Sequence, residues 1–438
     1  ALLLGLGEML ENYTRKKSLE SLADQLALKV DRVWVRKGET VVEVPLVEVS
    51  ESDVIVVRAG STIPVDGTVV GAEADVNQAT IAVCNAVEAA EQMANERITN
   101  VIVNVSGDRT RSVVRSSSIS IPKNRPVGEE DVKKVTDKGL MKVNVEGNEP
   151  IHFLTMGYHV DNGEEVKNPI SIYGDTLSVD ILLGLYPRPM YKNLATVVES
   201  SHLEVEMKAF SAYASGLSCL VDDEKELGAT IIDIGGGTTS IATFKNGHPV
   251  YFSSIPVGGI NVTNDIALGL TTSFNYAEEV KNRHGCAFLI SQDEQEIINV
   301  YPVGEEDDSN IKQIYRSDLI NIISPRIEEI FELVGRKLDE AGYKNTASHR
   351  VVLTGGASQL PGMREVASMV LDKQVRIGRP RNIENIPQVL HNPTFSTALG
   401  LLLFAVNNSE RKIVKKVNVS SNADGLFTKI LELFKKTC

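Results

Sequence analysis

One run of residues, Asp233-Ile234-Gly235-Gly236-Gly237-Thr238-Thr239, has the types and order needed to hold a phosphate. Glycine has no Cβ, so Gly235, Gly236 and Gly237 let the backbone come close to an anion and turn N–H groups toward it. The hydroxyls of Thr238 and Thr239 add donors, and Asp233 stands where a carboxylate can hold Mg²⁺ through water. A Walker loop would need a following lysine and a helix, and neither is present. The run therefore predicts a strand–turn–strand phosphate hairpin, although a plain glycine-rich β-turn would carry the same letters.

Two further runs belong with it. Leu353-Thr354-Gly355-Gly356-Ala357-Ser358-Gln359-Leu360-Pro361-Gly362 follows the apolar strand Arg350–Leu353, and its small residues Gly355, Gly356, Ala357 and Ser358 would let an adenosine lie against the backbone. Val257-Gly258-Gly259 turns a strand end into a helix, and Glu278 and Lys281 stand one turn apart on the next predicted helix. That pair is either a nucleotide contact or an ordinary surface ion pair of small worth.

The elements that must position these residues are legible in part. Thr230–Ile234, Ser240–Phe244 and Val250–Phe252 are β-rich, and Asn246-Gly247 between the last two suits a type I′ turn because both residues accept positive φ. Residues 8–30 and 84–95 have helical spacing, and 31–70 are a small β-branched unit. Val101–Val105 is a strand, 117–137 a polar stretch, and 139–185 a set of short strands. Residues 191–202 and 208–221 are expected as helices around a short link. A long amphipathic helix or two covers 313–343, and an apolar helix covers 394–405.

The polar segment 406–424 is expected to be a linker. Residues 425–438 then place Leu426, Phe427, Ile430, Leu431 and Phe434 beside the basic Lys429, Lys435 and Lys436. Such a helix lies in a membrane interface with its lysines toward anionic lipid, or else docks on its own domain.

Composition bounds the rest. The chain has 438 residues, 42% hydrophobic and 24% charged, with a net charge of −13. That length predicts several domains, and the acidic balance argues against nucleic acid as a partner. The four cysteines Cys84, Cys219, Cys286 and Cys438 form no CxxC pair and are expected to be reduced thiols in the cytoplasm. No stretch approaches the roughly 20 apolar residues of a membrane span.

Together the three runs resemble the superfamily of actin, sugar kinases and heat-shock chaperones, and within it the bacterial FtsA cell-division family. The matching pieces include Asn85–Ala94, Ile102–Gly107, Tyr213-Ala214-Ser215-Gly216-Leu217, the hairpin, Ser324-Pro325-Arg326-Ile327, Val352–Leu360 and Val375-Arg376-Ile377-Gly378-Arg379-Pro380. The resemblance implies an α/β, actin-like (ribonuclease H-like) two-lobed fold with a small inserted α+β subdomain. It places that subdomain at 82–165 and the actin-like lobes at 166–405. It also implies ATP and Mg²⁺ between the lobes, filaments of the chain itself, recruitment of other division proteins, and tethering of FtsZ to the cytoplasmic face of the inner membrane at the division site.

The chain departs from that family in two ways. The family's first phosphate loop is missing, so the triphosphate would be gripped from one side. Ser211 stands where many actin-type ATPases carry an acidic residue that orients water, so at most weak ATPase activity is expected. Residues 1–81 are instead similar to heavy-metal P-type ATPases, through Ile63-Pro64-Val65-Asp66-Gly67 and Asp75-Val76-Asn77-Gln78-Ala79-Thr80-Ile81. That resemblance implies a partial β-rich, actuator-like unit joined at about Ile81/Ala82. The phosphorylation and metal motifs of those pumps are absent, so a working pump is not expected. A sugar-kinase-like enzyme, the other alternative, would need an intact first lobe.

Overall fold

The computed structural model describes residues 32–37, 40–45, 54–56, 76–141, 147–289, 296–303, 311–343, 350–381, 383 and 386–416. The chain divides into two compact units, 1–73 and 74–438, each considered by itself. The first contains β1 (Arg32–Lys37), β2 (Thr40–Pro45) and β3 (Val54–Val56), which form an antiparallel sheet in the order β2–β1–β3. Trp34 pairs with Glu43 on one side and Val56 on the other. The helix expected over 8–30 and the membrane residues expected over 425–438 lie outside the described residues.

The second unit opens with helix α1 (Val76–Ala94), which crosses Ile81/Ala82 without a break. Then come β4 (Asn100–Val105), β5 (Arg111–Ser120), α2 (Glu129–Met141), β6 (Asn148–Val160), β7 (Thr176–Pro187), α3 (Arg188–Ser200) and β8 (Glu204–Phe210). Strands β5, β7 and β6 form an antiparallel sheet, and α2 packs on it over Ile121, Val135, Leu177, Val179, Ile181 and Leu183. These elements make a small α+β unit over 111–187. Strands β4 and β8 pair in parallel as a separate two-stranded sheet.

The remainder is the larger lobe. It runs α4 (Ser211–Cys219), α5 (Asp222–Leu227), β9 (Ala229–Ile234), β10 (Thr239–Lys245), β11 (His248–Ile255), α6 (Gly259–Leu270), α7 (Phe274–His284), β12 (Ile297–Val300), β13 (Lys312–Tyr315), α8 (Arg316–Glu340), β14 (Arg350–Thr354), α9 (Met363–Leu371), β15 (Gln374–Ile377) and α10 (Ser396–Lys416). Its five-stranded sheet has the order β11–β10–β9–β14–β15, an antiparallel meander joined to two parallel strands.

Strand β9 is central and buried along its whole length. Successive side chains alternate between faces. Ile232 and Ile234 join the core under α6, α8 and α9, while Ala229 and Ile231 join the core under α4 with Phe244, Phe252 and Val352. An apolar run without polar alternation thus marks a strand covered on both faces.

Several expectations change. Residues 204–210 form strand β8, not the start of a helix. Val205, Met207 and Ala209 alternate with Glu204, Glu206 and Lys208, and the strand pairs with β4. The polar stretch 117–137 holds the end of β5 and most of α2, whose first turn carries Glu129, Glu130 and Asp131 where acidic groups suit a helix start. The short strands expected over 139–185 are two long ones, β6 and β7. Helix α10 continues to Lys416, so the first part of the expected linker is helical. The turn at Asn246 and Gly247 has φ of 54° and 80°, the positive values that the pair predicts.

Candidate nucleotide site

The glycine runs meet because they end adjacent strands. Strand β14 runs parallel to β9, with Thr354 opposite Asp233, so both runs leave the same end of the sheet. Gly355 has φ +87°, and a Cβ there would lie 2.4 Å from Asp233 Oδ1 and 2.5 Å from the Ile234 carbonyl. Only glycine fits that approach.

The hairpin closes with Gly235 N–H donating to Thr238 O at 2.9 Å. Its carbonyls face the start of α6, where Gly259 N donates to Gly235 O at 2.9 Å and Ile260 N to Gly236 O at 2.8 Å. The N–H groups of Gly236 and Gly237 make no hydrogen bond among the described residues, and both glycines are exposed. A Cβ on Gly237 would meet nothing within 4 Å. The outer face of the turn therefore offers two free donors and open space, which fits a phosphate.

The third run lies against the other two. A Cβ on Gly259 would be 3.1 Å from Ala357 Cβ, 3.6 Å from Gly235 O and 3.8 Å from Lys281 Nζ. Lys281 is mostly buried and donates to Glu278 at 2.6 Å, to Thr263 Oγ1 at 2.8 Å and to Gly259 O at 3.2 Å. Thr263 Oγ1 also donates to Glu278. Burial pushes the Glu278 carboxyl up, but its bonds from Lys281 and Thr263 outweigh that and hold it below the usual range. The pair ties α7 to α6 beside the glycines and is not a solvated ornament.

Three predicted residues sit differently from expectation. Thr239 does not face the open side of the hairpin, because strand alternation turns it inward, where it is buried and donates to Val257 O at 2.8 Å. Ser358 is buried and closes its own turn on Gly355 O at 2.7 Å. Asp233 is also buried and does not present an open carboxylate. Its Oδ2 accepts from Ser215 Oγ at 2.6 Å and Thr397 Oγ1 at 2.7 Å, while Oδ1 faces Gly355. Burial pushes the Asp233 carboxyl above its ordinary range, against the two hydroxyls.

The sequence reading missed the residues around Asp233. Ser215 lies on α4 and Thr397 on α10, and the two hydroxyls are 2.9 Å apart. The polar seam continues as Ser218 Oγ donates to Ser396 O at 2.6 Å and Thr354 Oγ1 meets Ser396 Oγ at 2.6 Å. Helices α4 and α10 cross with almost no side chain between them: a Cβ on Gly400 would lie 1.9 Å from Ala214 O. Small residues in both helices were the only sequence signal of this crossing.

Ser211, the residue at the water-orienting position, accepts from Asn104 Nδ2 at 2.9 Å and donates to Val105 O at 3.3 Å. Its one proton is already spent on a carbonyl. A cavity of about 900 Å³ opens at the end of the second glycine run, lined by Ser358, Leu360, Gly362, Arg364, Arg379 and His391, and the hairpin residues Gly235–Thr238 do not line it.

Comparison with known proteins agrees with this geometry. A family model described as "Cell division protein FtsA" matches residues 230–400, and one described as "SHS2 domain inserted in FTSA" matches 107–183. A third, "P-type ATPase actuator domain", matches 27–118 and overlaps the second. The cell division protein FtsA of Agrobacterium fabrum is 40% identical over 318 residues, 73% of this chain and 72% of that protein. The FtsA of Pseudomonas aeruginosa is 32% identical over 376 residues, 86% of this chain and 89% of its own. Among solved structures, a PilM–PilN type IV pilus biogenesis complex aligns with a TM-score of 0.50 at 15% identity, covering 85% of this chain and 94% of that one, a likeness of fold alone. All three glycine runs fall inside the segment that the first family model covers, and the chain belongs to the FtsA family of actin-like cell division proteins.

Proposed function

We infer that this chain binds ATP at the hairpin and acts as a membrane-attached adaptor of the division machinery. The observation that carries the nucleotide reading is the meeting of three runs at Gly259, where Gly235, Ala357 and Lys281 converge. The N–H groups of Gly236 and Gly237 would take the phosphates, with Thr238, whose hydroxyl donates to Ser106, beside them. Gly355, Gly356 and Ala357, with Glu278 and Lys281, would flank the adenosine. Mg²⁺ would arrive with the phosphates, above a buried Asp233 that Ser215 and Thr397 hold in place. With Ser211 committed to Val105, hydrolysis is slow at most.

Isothermal titration of the chain with ATP tests this. Gly236→Asp adds a carboxylate whose Cβ meets only the flexible end of Ile260, at 3.3 Å, so the fold tolerates it. A like charge beside the phosphates costs on the order of 1–2 kcal/mol, so binding should weaken by about 5- to 30-fold. Equal affinity of the two proteins would refute the site.

The family supports self-assembly, FtsZ as the tethered partner, contacts with later division proteins, and a place on the cytoplasmic face of the inner membrane. The membrane contact is assigned to Leu426, Phe427, Ile430, Leu431 and Phe434, with Lys429, Lys435 and Lys436 toward anionic lipid. One short helix binds weakly and reversibly, so assembly into filaments would strengthen it through avidity. Removing residues 425–438 is expected to abolish pelleting with anionic liposomes; unchanged pelleting would rule out the tail as the anchor.

A further inference from the structure

We propose that Ser106, directly after β4, is a phosphate-binding residue, supplying a hydroxyl donor to the polyphosphate of a nucleotide held at the hairpin. The proposal rests on the reading of the hairpin as a phosphate site.

Ser106 comes from a different sheet than the hairpin yet touches it. Thr238 Oγ1, immediately after the exposed Gly236 and Gly237, donates to Ser106 Oγ at 3.1 Å. Thr238 thereby spends its own proton, and the proton of Ser106 has no acceptor among the described residues. A half-buried hydroxyl one contact away from two free backbone N–H groups adds a further donor to the edge of the hairpin.

The segment that carries Ser106 is held from several sides. Tyr186 Oη donates to Ser106 O at 2.9 Å, and Gly107 N donates to Ser254 Oγ at 3.2 Å. Gly107 has φ +140°, and a Cβ there would lie 3.2 Å from Tyr186 Oη and 3.3 Å from Met190 Cε. These contacts come from β7, α3 and β11, so the Ser106 position is fixed by the fold and is not a loop excursion. Preorganised donors of this kind bind an anion without an ordering cost at the moment of contact. Asn104, two residues earlier on β4, holds Ser211, so this strand end meets the hairpin and the water-orienting position together.

The test is calorimetric titration of the full chain with ATP, tripolyphosphate and adenosine, comparing the natural protein with Ser106→Ala and Ser106→Thr. Losing a hydrogen bond to a charged group should weaken ATP and tripolyphosphate binding by about tenfold in Ser106→Ala. Adenosine affinity should stay unchanged, which also reports an intact fold. Ser106→Thr keeps the hydroxyl and should keep the affinity. Equal ATP and tripolyphosphate affinities in the natural protein and Ser106→Ala would overturn the role of Ser106 while leaving the hairpin site standing. A natural protein that binds neither ligand would overturn both.

Discussion

Gly400→Leu is expected to destroy the native packing of the 74–438 unit. The first atom of the new side chain would lie 1.9 Å from the carbonyl oxygen of Ala214 and 2.3 Å from its carbon. Those are backbone atoms inside a helix, so they cannot swing aside. Helices α4 and α10 would have to separate, and the distance between packed helices is set by the side chains at their contact. Separation would also break Ser215 and Thr397 from Asp233, and Ser218 from Ser396. The cost is expected to reach about 4 kcal/mol or more, the exceptional end of single-residue effects. Urea unfolding followed by circular dichroism measures it. Gly237→Ala is the control: its Cβ meets nothing within 4 Å, and its stability should change by less than about 0.5 kcal/mol. A Gly400→Leu protein that unfolds at the natural midpoint would show that the two helices do not cross as described.

Asp233→Asn is expected to make the ligand-free protein more stable at neutral pH. Burial holds the folded-state pKa of Asp233 above its ordinary value. Between the unfolded and folded values the native state binds the extra proton, so stability falls as pH rises through the folded value and is regained toward acid. Asparagine keeps an acceptor for Ser215 and Thr397 but carries no charge to bury. The gain at pH 7–8 should be about 1–2 kcal/mol and should close as pH falls toward about 4.

His152 has the opposite sign and must be subtracted. Burial among Phe210, Tyr213, Phe252 and Phe404 pushes its pKa down to about 3, so its neutral form costs stability as pH drops below the ordinary histidine value. The natural protein minus the Asp233→Asn variant, melted side by side across about pH 4–8, isolates the Asp233 contribution. An Asn variant less stable at every pH would mean that the two hydroxyls more than offset burial and keep the carboxylate ionised.

How much of this was legible in the sequence follows from the range of each interaction. The hairpin could be read because strand, glycines, strand and Asn246-Gly247 are all local. The long helix α8 could be read from its apolar spacing over Leu319, Ile323, Ile327, Ile330 and Val334. Strand β8 carries a local signal too, the alternation of Val205, Met207 and Ala209 with Glu204, Glu206 and Lys208, but it is short and flanked by helices, and pairing with the distant β4 fixes it as a strand. The direction of Thr239 was lost because the turn residues were read as a list of donors and the strand alternation that begins there was not applied. Ser215 and Thr397 were invisible for a different reason. Their partner Asp233 is 18 residues from one and 164 from the other, and a hydroxyl on an apolar helix carries no signature of what it meets. The N-terminal resemblance was likewise a matter of local text, and helix α1 shows that text running through Ile81/Ala82 into one continuous element.

Helix α10 has a mechanical consequence. Its second residue, Thr397, is bonded to Asp233 under the phosphate hairpin, and its last, Lys416, is where the stretch leading to the C-terminal tail begins. At 1.5 Å per residue its 21 residues make a rod of about 30 Å. Gly400, four residues from the helix start, is the point where the rod bears on α4. A rod pinned close to one end is a lever with a short arm and a long one. Force applied at the far end would act on the short arm, at Thr397 and its bond to Asp233. If the hairpin holds a phosphate as proposed, tension at the far end and that grip would be parts of one mechanical system.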